Sequence, residues 1–334
     1  MAIFGSNNNY DDLDTLVCEG YDAEVNGSVD AIIESYDDQL AIMEAIHKMD
    51  MEELDLKKEG KDDEEIGELL EGSMSDTWKK IKEAFVNLFA KIRAWIDSAI
   101  RYFDSHFKST EAFLDKYEKE LTKLNLTGYK YEMFNYTNMN VVSELVKSKP
   151  RMALKEMDEY INIEFENVKK GTEVVDRTKL NEMHDEIRGA IVGKSKLDAS
   201  EYSKELYKFF RNGASDASDK KELAINITSI IAELRAAAKF IPALKDVKKE
   251  QDAYEKKMIS RIKSAEAEAL RELKNDKATS DRITAVARES VYATQSAVTI
   301  STTLINAAKT VCSEIVSTYT AVCRGAFTYA KKSK

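Results

Sequence analysis

Hydrophobic positions recur every three or four residues along most of this chain, the period of one face of an α-helix. The densest run is WKKIKEAFVNLFAKIRAWIDSAIRYF, residues 78–103. In it Trp78, Ile81, Phe85, Phe89, Ile92, Trp95, Ile96 and Phe103 fall on one stripe, with Lys and Arg between them. Ser75 or Asp76 supplies an N-cap. The helix is predicted to run to about Phe107, pause at KST, and resume to Leu124. Upstream, Val29, Ile32, Ile33, Tyr36, Leu40, Met43, Ile46 and His47 predict a helix over 29–49.

Further helices are predicted over 139–148, 151–168, 176–191 and 198–211, with Pro150 opening the second of these. Residues 219–276 read as one long helix or two, Pro242 marking the kink or break. The final pattern, Ile283 through Val291, Ile300, Leu304, Val311 and Ile315 to Tyr329, predicts a helix over 281–331. Its Thr, Val and Ile favour strands, but its length without a proline decides for a helix. Small Ala, Ser and Thr on its inward face admit close packing. Only Tyr129, Tyr131 and Met133 alternate, predicting a loop or small hairpin near 128–136. The expected fold is therefore all-α: an elongated multi-helix bundle with long helices and at most a minor β-hairpin. The composition agrees, with 2 prolines and 12 glycines in 334 residues.

Charge divides this picture. Residues 1–72 carry 22 Asp/Glu against 4 Lys/Arg, a net of -18, so within a whole-chain charge of -10 the remainder is +8. Two units are expected: an acidic N-terminal segment, 1–72, and a helical body, 73–334. The basic-aromatic stripe at Trp78, Phe85, Phe89, Trp95 and Phe103 has three open readings. It is a core face, a face lying on anionic membrane, or a face docking into a partner's groove.

The residue types that carry chemistry are sparse. Cys312 and Cys323 stand eleven residues apart on one helix, roughly 16 Å, too far for a disulfide. Together with Cys18 they form no framework. His47, His106 and His184 show no metal-ligand spacing. MHDE, 183–186, reads as a solvated helix face. VGKS, 192–195, lacks the first glycine of a phosphate loop and no strand precedes it. No enzyme, cofactor or metal is expected. The opening MAIFGSNNNYDDLD lacks the basic start and apolar run of a signal peptide. Residues 290–308 are uncharged, but nine of the nineteen are Ser, Thr, Asn or Gln, too polar for an ordinary membrane span.

LLEGS, 69–73, stands where the charge changes sign. Leu69-x-Glu71 followed by Gly72 resembles the cleavage signal of prohead proteases in large tailed bacteriophages. VCEG, 17–20, departs from that pattern, with Val17 two before Glu19. The layout of acidic start, basic-aromatic helix, bundle and Ser/Thr/Ala-rich last helix resembles helical internal or structural virion proteins of large phages infecting Gram-positive bacteria. The resemblance implies a non-enzymatic head protein, assembled in the bacterial cytoplasm and carried in the virion. Its partners would be other virion proteins or further copies of itself. It also implies removal of residues 1–71 by a cut at Glu71–Gly72. A body of +8 would suit non-specific contact with DNA through counterion release. Two other expectations stand beside this. The acidic part is a permanent helix pair on the basic helix, or the protein acts on membranes through 78–103 and the last helix.

Overall fold

The computed structural model describes residues 40–171 and 177–332. Helices dominate it: α1 (40–58), α2 (Asp63–Leu121), α3 (Met139–Lys169), α4 (Arg177–Val192), α5 (Ala199–Phe210), α6 (Ile227–Ala237), α7 (Phe240–Glu272) and α8 (Lys277–Lys332). Strands β1 (Lys130–Met133) and β2 (Lys221–Ala224) form a two-stranded antiparallel sheet. At 1.5 Å per residue, the 59 residues of α2 extend about 88 Å and the 56 of α8 about 84 Å. The all-α reading of an elongated bundle with a minor β element holds.

Side-chain pairs along the bundle fix its directions. Lys82 meets Glu266, Arg93 meets Glu255 and Asp97 meets Lys248, so α2 and α7 are antiparallel. Lys147–Asp246 and Arg151–Glu250 make α3 parallel to α7. Thr284 at Met74 and Tyr102 at Ser313 make α8 parallel to α2. The result is a four-helix core of α2, α3, α7 and α8, with α8 against all three others. Twenty-seven of its residues are buried, Ala287, Ala293, Ala297, Ala307 and Ala308 among them. Buried hydroxyls on α8 bond back one turn, as Ser290 to the Val286 carbonyl (2.7 Å) and Ser301 to that of Ala297 (2.8 Å). Such bonds satisfy most of the buried hydroxyls of α8, while the Thr320 hydroxyl is buried without a partner. No described helix is long and apolar enough to cross a membrane.

The smaller elements clasp this core. The α4–α5 pair lies along α8, held by Arg177–Glu289 (2.9 Å) and Arg211–Glu314 (3.1 Å). Helix α6 closes one end, where Arg235 pairs with Asp115 and Glu118 of α2 and Glu233 accepts from the Met139 backbone N–H. Tyr129 reaches into the core beside Gly325 and donates to the Val322 carbonyl (3.2 Å), an approach that any Cβ at 325 would block.

Several sequence expectations change. The helix predicted to begin at Ser75 or Asp76 begins at Asp63, N-capped by Asp62, whose carboxylate accepts from the Glu65 N–H (2.9 Å). The pause at KST is absent, because Thr110 bonds back to the His106 carbonyl and stays buried in a continuous helix. Pro150 does not open a helix. It lies buried inside α3, which gives up one hydrogen bond at the Val146 carbonyl and continues. Residues 219–226 are a short turn and β2 rather than helix. Pro242 does mark a break, lying in the first turn of α7, where its missing N–H costs nothing. The strand near 128–136 exists, but its partner is the distant β2. The predicted helix over 29–49 is described only from residue 40, and Cys18 and VCEG lie outside the described residues.

Candidate functional site

The junction singled out by charge, Glu71–Gly72, lies inside α2, between two and three turns from its start. The anticipated boundary at 72/73 therefore falls within one uninterrupted helix. Ile66, Leu70 and Met74 are buried on the core side of this first stretch. Gly67 is what permits the approach: a Cβ there would sit 2.6 Å from the Leu273 carbonyl oxygen in the α7–α8 turn. Glu71 points outward and pairs with Lys274 (3.0 Å), and Gly72 faces open space.

Helix α1 docks beside this stretch. Ile42 and Met49 enter the core, and Ser73 bonds to Glu52. Lys277, at the start of α8, joins Glu53 (2.7 Å) and Asp281 (2.8 Å), and Glu53 also takes Lys57 (2.6 Å). Burial works against the Glu53 charge, but the bonds from Lys277 and Lys57 outweigh it and hold its pKa below the ordinary carboxylate value. Asp50 has no such bond: burial, then repulsion from Glu53 and Asp281, raise its pKa. The acidic residues of 40–72 are thus partly built into the body's own surface. An open groove between α1 and α2, about 450 Å³, is lined by Glu44, Lys48, Asp76 and Lys79.

The basic-aromatic stripe faces inward. Trp78, Phe85 and Phe103 are fully buried, Phe89 is buried against Tyr254, and Trp95 is half-buried. Two of the six cations flanking the stripe are matched by α7. Lys82 binds Glu266 (2.7 Å), and Arg93 binds Glu255 (2.7 Å) and Asp252 (3.2 Å). The eleven-residue steps from 82 to 93 and from 266 to 255 keep both pairs in register on antiparallel helices. These acidic partners lie more than 150 residues away in sequence, so no local pattern in 78–103 could have identified them. A lipid-facing role for the stripe requires the bundle to open.

That geometry gives a first expected result. The Trp78 indole is fully buried with no hydrogen-bond partner. Its emission is expected to be blue-shifted in buffer alone and to shift red in denaturant, with Trp95 contributing a redder component. Anionic vesicles should leave the folded spectrum unchanged. A blue shift appearing only with vesicles, and fading with salt, would place the stripe on lipid instead.

The other sequence candidates resolve into structure. VGKS is the C-cap of α4: Gly193 adopts φ +78° and the Lys194 N–H bonds back to the Gly189 carbonyl (2.8 Å). His47 is exposed, and His106 stacks on Tyr102. MHDE is not a solvated face throughout, because His184 is buried with its Nε2 3.3 Å from the Met157 sulfur. Cys312 and Cys323 are free and buried, and burial pushes both thiols up, Cys323 to about 12. No group of three or more His, Cys, Asp or Glu placed to hold a metal occurs among the described residues. No family model, curated protein or solved structure matches the chain.

Proposed function

We propose that this chain is a non-enzymatic structural and assembly protein, an internal head protein of a large tailed phage that works through contacts with other virion proteins or with copies of itself. The observation that carries the reading is the charge step, -18 to +8, falling on Leu69-x-Glu71-Gly72. A long, ion-paired helical bundle is compatible with a packing role and brings its own rigidity. The membrane-active alternative is less favoured, since it needs the buried stripe on α2 to turn outward.

The position of Glu71–Gly72 inside α2 constrains how the cut would be made. Proteases bind extended chain, so the helix around residue 72 must be unwound when the bond is broken. Cleavage then precedes completion of α2 or follows fraying of its first turns, which are held by Gly67 at Leu273 and by Glu71–Lys274. Intact mass spectrometry of the protein from its native particle tests this. A chain beginning at Gly72 is expected, and Glu71→Gln should leave the N-terminal segment attached. A wild-type particle protein beginning at Met1 or Ala2 ends the cleavage proposal.

A further inference from the structure

Helix α7 carries a row of cations that its neighbours leave free. Lys245, Lys249, Lys256 and Lys263 are all exposed. At 100° per residue they fall within about 40° of one line on the helix, spread over roughly 27 Å of its length. None of the four pairs with a described carboxylate. The acids beside them are already engaged. On the α2 side, Arg93 takes Asp252 and Glu255, and Lys82 takes Glu266. On the α3 side, Lys147 takes Asp246 and Arg151 takes Glu250. The two seams are thus lined by ion pairs, and the ridge between them carries four lysines with which no described carboxylate pairs.

The excess acid of the chain lies elsewhere in the sequence. Residues 1–39 hold ten Asp/Glu and no Lys/Arg, which accounts for the whole net charge of -10. The remaining residues balance, and the ridge of α7 is a local excess of one sign within them.

We infer that the α7 lysine row is a binding surface for the sugar-phosphate backbone of double-stranded nucleic acid, without base reading. A duplex presents about one negative charge per 1.7 Å of axis, so a row of this length spans on the order of sixteen of them. Lysines bind as point charges on flexible stems and set no register on the bases. No aromatic residue shares the exposed face of α7, so the stacking that holds single strands is missing. The large exposed apolar residues lie on α1, α2 and α3, not on α7, so the row has no apolar face to insert into a bilayer. This surface deepens the general contact with DNA that the charge step implies, but it does not depend on cleavage at Glu71.

The test is fluorescence anisotropy of a labelled duplex of about 30 base pairs with the full chain, titrated at several salt concentrations from about 50 mM upward. Wild type should bind, with log K falling linearly against log salt. Replacing all four lysines by glutamine (K245Q, K249Q, K256Q, K263Q) should reduce the magnitude of that slope by about 3 to 4 and weaken binding at low salt at least about 100-fold. A control with K119Q, K123Q, K204Q and K221Q, exposed lysines on other elements, should retain most of the affinity. Unchanged circular dichroism establishes that both variants are folded. The inference is overturned if wild type does not bind the duplex, or if the control loses as much as the α7 variant. It is also overturned if the row binds phosphatidylserine vesicles and not the duplex. Because the readout is the salt slope of the uncleaved chain, its failure is separate from a failure of the cleavage proposal.

Discussion

Leu304→Asp is expected to abolish the folded state. Leu304 lies at the middle of α8, with no exposed surface, where that helix meets the other long helices. An unpaired carboxylate there costs several kcal/mol, and the lost leucine packing adds to it. Those sums approach the whole stability of an ordinary domain, roughly 5–15 kcal/mol. Leu304→Ala, which leaves a cavity but no charge, should stay folded and lose about 2–5 kcal/mol in urea denaturation. Val141→Asp is the matched control, because Val141 on α3 is 45% exposed and should lose little. A soluble Leu304→Asp protein with the wild-type melting temperature would show that this face of α8 is not core.

Acid is expected to destabilise the protein through His184. The imidazole is buried between α4, Met157 of α3 and Tyr292 of α8. Burial, assisted by the Arg188 charge, lowers its pKa from 6.5 to about 4. The folded protein therefore prefers the neutral ring, and the unfolded chain binds the extra proton first. Stability from this group is complete above about pH 6.5 and is lost as pH falls towards 4, by about 3 kcal/mol in all. Carboxylates with lowered pKa values, such as Glu53, lose their share at lower pH, while His106, also depressed by burial, acts in the same direction. The contribution of His184 is thus the difference between wild type and His184→Phe, which keeps a ring against Tyr292 but cannot titrate. Urea midpoints should fall more steeply from pH 6.5 to 4 in wild type. Equal slopes would mean that His184 is solvated or already charged in the fold.

His184 also shows where reading the chain stops. MHDE looks polar, and the neighbours Glu182 and Glu186 are indeed exposed. Only the crossing of α4 over α3 and α8 puts the histidine inside. The same holds for the junction. A charge step and the glycine at 72 read locally as a boundary, since glycine costs about 1 kcal/mol in a helix. The packing of Ile66, Leu70 and Met74, and the close contact of Gly67 with Leu273, carry the helix through it.

Most of the helical content was legible in the chain, because its signals are local. A 3.6-residue stripe marks α2 and α8, and Pro242 marks the α6–α7 break. The sequence also shows which face of the residue 78–103 helix is apolar, but not what that face meets. Only the folded chain settles the rest: Pro150 absorbed inside α3, β1 paired with β2, α2 continuous through residue 72, and Lys82 and Arg93 of α2 matched to acids on α7. Each of these depends on a residue far away in the chain. Period and caps act within about one helical turn, whereas pairing energy is supplied by partners that only the folded chain brings within 4 Å.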